Sequence, residues 1–185
     1  MKPSLFLILA GTFLFSCKPE VRQVDLFDMQ KLVEEQKSFF ENNPSKALRV
    51  SVLNQTSDTL QLDSFQWESE LEAFKSFDLN NTRYKTDYLE EKSSVDGNSV
   101  MSYTLPLPRE NFTGIYELKI TFKGDSDIPH TIEALELANN LVYTSSNQYF
   151  LEFDGSILQK VTVEGKQDLM MKEPLDYRVV TELRP

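Results

Sequence analysis

The sequence predicts an α+β fold, in which an antiparallel curved sheet or incomplete β-barrel of about eight to nine strands packs against two α-helices, in the order α-β-β-α-β7. Much of the chain consists of short stretches in which apolar and polar residues alternate, separated by turn sequences, and this pattern is typical of strands joined as hairpins. Only two stretches space their apolar residues by three and four, as one face of a helix does. We expect both helices on the concave side of the sheet.

An apolar segment at residues 5–15 precedes these elements. As a helix it would span about 16 Å, roughly half of a bilayer's hydrocarbon core, so it is too short to cross a membrane. With Lys2 before it and the small Ser16 after it, the segment has the pattern of a secretory signal peptide. We therefore assign residues 1–16 to a signal peptide, residues 17–24 to a short linker and residues 25–185 to a single domain.

The first helix is predicted at residues 25–41, with Asp25 as its N-cap and "NNP" ending it. Its apolar residues fall on one stripe, which we expect to pack into the core because the opposite side is acidic and poor in lysine. Gln36 is the single polar member of this stripe. The stripe consists of Leu26, Met29, Val33, Gln36 and Phe40.

A β-hairpin is predicted next, because "ALRVSVLN" and "TLQLDSF" alternate on either side of the turn "QTSD". We expect its apolar residues on one buried face. They are Leu48, Val50, Val52, Leu60 and Leu62.

The second helix, "SFQWESELEAFKSF", follows this hairpin, and Asp63 with Gln66 fits a capping box at its start. Trp67, Leu71 and Phe74 lie at i, i+4 and i+7, and therefore on one face. We expect this face to pack against the sheet.

From Arg83 onward the alternation predicts strand after strand. Turn sequences separate them, and Asp96-Gly97 is typical of a type I′ hairpin turn. The predicted strands are "RYKTDYL", "SVMSYTL", "GIYELKITF", "HTIEALEL", "LVYTSS", "QYFLEFDG", "ILQKVTVEG" and "LDYRVVTEL". The residues expected to share a face within a strand are Tyr84, Thr86 and Tyr88; Met101, Tyr103 and Leu105; Tyr116, Leu118, Ile120 and Phe122; and Leu175, Tyr177 and Val179.

Composition excludes several classes of function. The chain has 185 residues, 13 phenylalanines and 7 tyrosines, which is enough for one substantial core. Its formal net charge is −10, which argues against binding nucleic acid or lying flat on an anionic bilayer. The single cysteine, Cys17, excludes an internal disulfide.

The residues that usually carry catalysis or metal binding are sparse. His130 is the only histidine, so we expect neither a zinc site of the usual Cys/His type nor a Ser-His-Asp arrangement. "GDSD", residues 124–127, resembles the start of a calcium loop, but His130 stands where that loop needs glycine. Adjacent acidic residues such as Glu90 and Glu91 are too common here to indicate a catalytic pair. We therefore expect no enzyme activity, no cofactor and no metal.

The ending "LFSC" of the apolar segment resembles a bacterial lipobox. Leu14 and Ser16 match its pattern, whereas Phe15 is bulkier than usual at that position. The resemblance implies that Cys17 is acylated and becomes the mature N-terminus, anchoring the protein to a membrane. Two or more acyl chains give a lasting anchor, because each buried methylene contributes about 0.8 kcal/mol. The alternative is a plain signal peptide with an incidental cysteine.

The whole mature chain resembles small lipoproteins of Bacteroidota. The lipobox, the helix "DLFDMQKLVEEQKSFF", the helix "WESELEAFKSFDLNN" after a hairpin and the strands from "YKTDYLEE" carry this resemblance. It implies an outer-membrane lipoprotein, and the absence of an acidic run after Cys17 favours the periplasmic face over the cell surface. Asp58-Thr59-Leu60 also resembles an O-glycosylation site of periplasmic proteins in these bacteria.

Three functions remain as hypotheses. The first is a non-catalytic envelope lipoprotein whose sheet surface or edge binds another protein, which requires a filled core. The second is a carrier of lipid or of another apolar ligand, suggested by a fold-level similarity to the curved sheets of lipoprotein carriers. Its cavity would be lined by some of Trp67, Phe74, Tyr103, Tyr116 and Phe122. The third is a hydrolase, which requires a cleft with convergent carboxylates.

Overall fold

The computed structural model describes residues 25–63, 67–106, 111–170 and 172–184, with the side chains of 67–69 left out. Residues 1–24, including the predicted signal peptide and Cys17, lie outside this description. Within it, nine strands form one sheet beside two α-helices, α1 (Met29–Asn42) and α2 (Trp67–Glu72). The strands are β1 (Lys46–Leu53), β2 (Thr56–Leu62), β3 (Leu89–Val95), β4 (Asn98–Thr104), β5 (Thr113–Phe122), β6 (Pro129–Asn139), β7 (Tyr143–Asp154), β8 (Ile157–Leu169) and β9 (Leu175–Arg184).

The sheet is open and antiparallel, in the order β2-β1-β9-β8-β7-β6-β5-β4-β3. Strands β3 to β9 form a continuous meander, and the hairpin of β1 and β2 joins it through β9. Among the described residues, the nine strands agree with the predicted number of about eight to nine, and the order of helices and strands agrees roughly with the predicted one. The fold is mostly β, because α1 is the only described α-helix longer than two turns.

The first helix begins later than predicted. Asp28, not Asp25, is its N-cap, and the Asp28 carboxylate accepts a hydrogen bond from the Lys31 N–H at 2.8 Å. Leu26 lies before the helix, and its N–H donates to the side-chain oxygen of Asn80. The predicted buried stripe is confirmed within the helix, where Met29, Val33, Gln36 and Phe40 are all buried.

The region between β2 and β3 departs furthest from the prediction. The second helix continues after α2 as a tighter 3-10 helix, Ala73–Phe77. The strand predicted from Arg83 is wrong, since Lys85–Asp87 is a 3-10 turn and β3 begins at Leu89. The Tyr84 N–H donates to the Thr82 hydroxyl oxygen at 2.9 Å, and this local bond competes with strand pairing.

Strand β7 joins two stretches that the sequence predicts as separate strands. It runs over 12 residues and pairs with β6 and β8 along nearly all its length. The polar residues in its first half do not end it, and Asn147 bonds there to a side chain of β6 and, across β8, to a side chain of β9. Its side-chain amide donates to Glu136 at 3.1 Å and its oxygen accepts from the Tyr177 hydroxyl at 2.9 Å.

The core lies between one face of the sheet and the helical segments, and we call this face the covered face. Leu118, Ile120, Ile132 and Leu151 belong to it and are almost fully buried. A register shift in β5 between Ile115 and Glu117 places Tyr116 at an irregular, half-buried position. Other almost fully buried side chains of this core include Met29, Val33, Leu71, Phe74, Phe77, Leu79, Tyr103 and Leu158.

The apolar residues of the first hairpin do not share a face. Val50 pairs with Thr59, whereas Leu60 pairs with Arg49 and Leu62 with Ala47. Residues paired across strands point to the same face, so the apolar residues of β1 lie opposite those of β2. The expectation of one buried face is therefore wrong.

Candidate functional site

The second face of the sheet, which we call the open face, carries a row of side chains across its middle. Tyr149 belongs to the covered face, because its ring packs against Phe74 and Phe77 at 6.3 and 4.7 Å between ring centres. Successive residues of a strand point to opposite faces, so Phe150 belongs to the open face. The register extends its row to Glu133 and Lys119 on one side, and to Thr162, Val180 and Val50 on the other.

The central row is the segment Phe150, Thr162, Val180 and Val50. Thr162 is only 8% exposed although no described helix covers it, because the longer side chains around it shield it. Phe150, Val180 and Val50 are half-buried. The side chains in the middle of the open face are therefore less exposed to solvent than those on the exposed face of an ordinary antiparallel sheet.

Ion pairs surround the central row. Lys160 meets Glu152 at 2.7 Å, and Arg178 meets Glu164 through its Nε at 2.8 Å. Both pairs join residues directly opposite each other in the register of neighbouring strands. Partly exposed pairs of this kind contribute about 0–1 kcal/mol each, so their main effect is to hold long side chains upright on either side of the row.

A third ion pair closes the end of the row. Lys119 and Glu133 lie directly opposite each other on β5 and β6, with 2.9 Å between Nζ and the nearer carboxylate oxygen. Glu117, on the same face of β5, has no ion pair or hydrogen bond from its side chain among the described residues. The side chains around the row thus include four glutamates and three cations, Lys119, Lys160 and Arg178, so their net charge is slightly negative.

These side chains enclose a hollow of about 430 Å³ above Phe150 and Thr162. A second hollow of about 380 Å³ continues it towards Asn54 and Asp176. The two share Gln148, Glu164 and Arg178, so they form one trough across the open face. The first hollow falls within the range of about 300–1,000 Å³ usual for binding pockets, but its walls are charged and it opens to solvent.

A second polar group lies on the covered face, and we call it the tyrosine network. The Tyr149 hydroxyl donates to Glu136 at 2.9 Å, and the Tyr177 hydroxyl donates to Asn147. Burial, with the nearby Glu136 carboxylate, raises the pKa of both Tyr149 and Tyr177. Both hydroxyls are therefore protonated near neutral pH and act as donors, so the network is a structural connection between β6, β7 and β9.

Four of the five residues predicted to line a lipid cavity, Phe74, Tyr103, Tyr116 and Phe122, do not line the two hollows of the trough. Phe74 and Tyr103 lie in the filled core, each 2% exposed. Phe122 is also buried, and its ring meets Phe27 edge-on at 6.4 Å. Tyr116 is half-buried at the irregularity in β5, and the side chain of Trp67 lies outside the description.

The other residues with side chains suited to catalysis or metal binding do not form a common site. His130 is exposed at the start of β6, and residues 125–127 form an exposed turn. Glu90 and Glu91 are exposed neighbours in β3 and so point to opposite faces. Among the described residues, no three of His, Cys, Asp and Glu are grouped closely enough to hold a metal ion.

The sequence prediction missed the open face. Phe150 stands in "QYFLEF", where apolar residues occupy adjacent positions as well as alternate ones. This is the one signal that could have indicated it, because a strand with apolar side chains on both faces is shielded on both.

In structural terms, the protein is an open antiparallel sheet with one face covered by helical segments and one face that carries apolar side chains between ion pairs. No protein-family model, curated protein or solved structure matches this chain. Within the described part of the chain, no helix has the length and apolarity to cross a bilayer.

Proposed function

We propose that this protein is a lipid-anchored, non-catalytic envelope lipoprotein that binds another protein through the trough on its open face. The observation that supports binding is the central row, where Thr162 is almost fully buried on a face that no described helix covers. In this proposal the sheet is a curved platform whose helical layer keeps it rigid. The acylated Cys17 holds the platform at the periplasmic face of the outer membrane.

A protein partner fits this surface better than a small apolar ligand. Protein interfaces combine an apolar centre with a polar rim, and the central row with its flanking ion pairs has this arrangement. An acyl chain would instead need a cavity lined by apolar side chains. Phe74 and Tyr103 instead belong to the packed core, each 2% exposed, and line neither hollow of the trough.

Photocrosslinking tests the surface. A photoreactive phenylalanine derivative at Gln148, an exposed residue within the trough, should give a discrete adduct with one envelope protein in living cells. The same derivative at Glu35, on the exposed side of α1, should not. Phe150→Asp should abolish the adduct without lowering the amount of folded protein, because it places a charge in the centre of the interface. Equal adducts from both sites, or none, would contradict the proposal.

The anchor is tested in the same cells. Cys17→Ala should move the protein from the membrane fraction to the soluble fraction and leave its circular dichroism spectrum unchanged, because Cys17 lies outside the folded domain in this proposal. A variant that stays in the membrane fraction would refute the anchor. Native mass spectrometry of the wild-type protein purified from membranes should show no ligand mass beyond the anchor; a co-purifying lipid would favour the carrier.

A further inference from the structure

We propose that the outer edge of β2 binds an extended, basic segment of a partner protein by strand addition. Strand β2 is at one end of the sheet, and its residues are exposed from Thr56 to Gln61. This inference goes beyond the proposed function, because it concerns the edge of the sheet and requires neither the trough nor the anchor.

The backbone of β2 directs groups outward along this edge, where no described strand pairs with them. The Thr59 N–H donates to its neighbouring Asp58 carboxylate at 2.8 Å, so it points away from β1. In an antiparallel strand the direction of the N–H and C=O groups alternates. Ser57 and Gln61 therefore also direct their N–H and C=O groups outward. An extended chain is the ligand that satisfies such a row of donors and acceptors.

The two edges of the sheet differ in their protection. Strand β3, at the other edge, carries Glu90, Glu91 and Lys92 within seven residues, and such charges discourage strand pairing. Strand β2 has a single charged residue, Asp58, among its seven residues. The β2 edge is the one that permits a further strand.

The charges of the protein select the partner. A second copy is disfavoured by the net charge of −10 and by the approach of two Asp58 carboxylates. A lysine or arginine on an incoming strand would attract the Asp58 carboxylate away from the Thr59 N–H and so free this donor for pairing. An apolar residue beside it would cover Leu60, which is 52% exposed.

The probe is a capped, fluorescent peptide with the sequence of β1, KALRVSVL. It is extended and basic, and β1 already pairs with β2 in the native sheet. Fluorescence anisotropy with the full-length mature protein in detergent should show saturable binding. A peptide with glutamate in place of its lysine and arginine should bind about tenfold more weakly or worse.

Proline variants locate the binding site. Gln61→Pro removes an outward N–H without touching the pairing with β1, so the fold should persist while peptide affinity falls about tenfold. Ser57→Pro is a second variant of the same kind, in case Gln61→Pro fails to fold. Ser94→Pro makes the matched change on the outer edge of β3 and should leave affinity unchanged.

Several results would overturn the inference. Absence of binding to the wild-type protein would refute it, as would binding that both β2 proline variants preserve. Equal binding of the basic and acidic peptides would refute the choice of partner. Sedimentation that shows a dimer, dissolved by Gln61→Pro, would assign the edge to a second copy instead.

Discussion

Gln36 connects α1 to the far end of the meander. Its side-chain amide donates to the Ser156 carbonyl oxygen at 2.7 Å, and its side-chain oxygen accepts the Leu158 N–H at 2.9 Å. Gln36 is only 4% exposed and Leu158 is fully buried, so the Leu158 N–H has no water as an alternative partner. Gln36 thus provides hydrogen-bond partners for two backbone groups at the start of β8, the Ser156 carbonyl and the Leu158 N–H.

Replacing Gln36 by leucine should lower the free energy of unfolding by about 1–3 kcal/mol, because it leaves the buried Leu158 N–H without a partner. Urea unfolding followed by circular dichroism measures this. Glu41→Gln, on the exposed side of the same helix, should change stability by less than about 0.5 kcal/mol. An equal effect of the two substitutions would show that the Gln36 bonds contribute nothing.

For a single residue, the sequence predicts whether the side chain is buried, but it does not predict which distant group the side chain contacts. The helical spacing places Gln36 in the buried stripe, and the structure confirms it. Its partner Leu158 lies 122 residues further along the chain, and a local sequence pattern cannot indicate a contact over that distance. Thr162 is similar, since its burial depends on side chains from three strands.

Gly165 of β8 makes room for a side chain of the neighbouring strand β9. Gly165 lies opposite Tyr177 in the register, and the ring of Tyr177 covers the glycine. A Cβ atom at position 165 would overlap this ring and lie 2.6 Å from the side-chain oxygen of Asn147. The glycine therefore makes room for the tyrosine network rather than for a turn.

Gly165→Ala should destabilise the protein by about 1–3 kcal/mol, because the ring must move and the Tyr177–Asn147 hydrogen bond must break. In a Tyr177→Ala background the same change should cost little. A double-mutant cycle in urea therefore gives the coupling between the two positions. Additive effects would show that the ring does not occupy the space of the missing Cβ.

Among the elements, the sequence predicts the hairpins with clear turns and the long amphipathic helix. Both residues of the turn Asp96-Gly97 have positive φ, 51° and 78°, as the predicted type I′ turn requires. The prediction fails at Lys85–Asp87, where local side-chain bonds and tertiary packing override the alternation. It also fails for the faces of the first hairpin, because alternation within each strand does not determine the register between them.

Four tyrosine hydroxyls in the molecule lie at buried or half-buried positions. Burial raises the pKa of Tyr88 to about 12 from its ordinary value of 10.0, and the Tyr88 hydroxyl donates to the Ile115 carbonyl oxygen. Burial is also the main cause of the raised pKa of three further tyrosines. They are Tyr103, Tyr149 and Tyr177.

These shifts predict loss of stability in alkali. Below pH 10 both the folded and the unfolded state hold the phenolic protons, and the stabilisation is fully present. Between pH 10 and about 12 the unfolded state loses the Tyr88 proton while the folded state keeps it. The free energy of unfolding should therefore fall by about 1.4 kcal/mol per pH unit for each such tyrosine.

Urea unfolding at a series of pH values measures this slope. Tyr88→Phe should make the fall between pH 10 and 12 shallower by the contribution of one tyrosine, although it also removes a hydrogen bond at every pH. An unchanged slope would show that Tyr88 ionises alike in the folded and unfolded states.

The open face is visible only at the scale of the whole sheet. Its central row takes one residue from each of four strands. The alignment of these residues depends on the register of three strand pairs, β1 with β9, β9 with β8 and β8 with β7. The covered face was easier to predict, since large apolar residues recur on it in most strands. A surface that is half apolar and half ion-paired has no comparable periodicity.

The pairing of β1 with β9 also sets the order in which the chain can fold. Arg49 and Thr181 are direct partners in the sheet although 132 residues separate them, and the loop between them must close before β1 and β2 gain their neighbour. Contacts so distant along the chain slow folding. A polypeptide that emerges N-terminus first from a ribosome or a translocation channel would therefore keep its first hairpin unattached until β9 has emerged. Such a delay keeps the chain open while it is threaded and completes the sheet only afterwards.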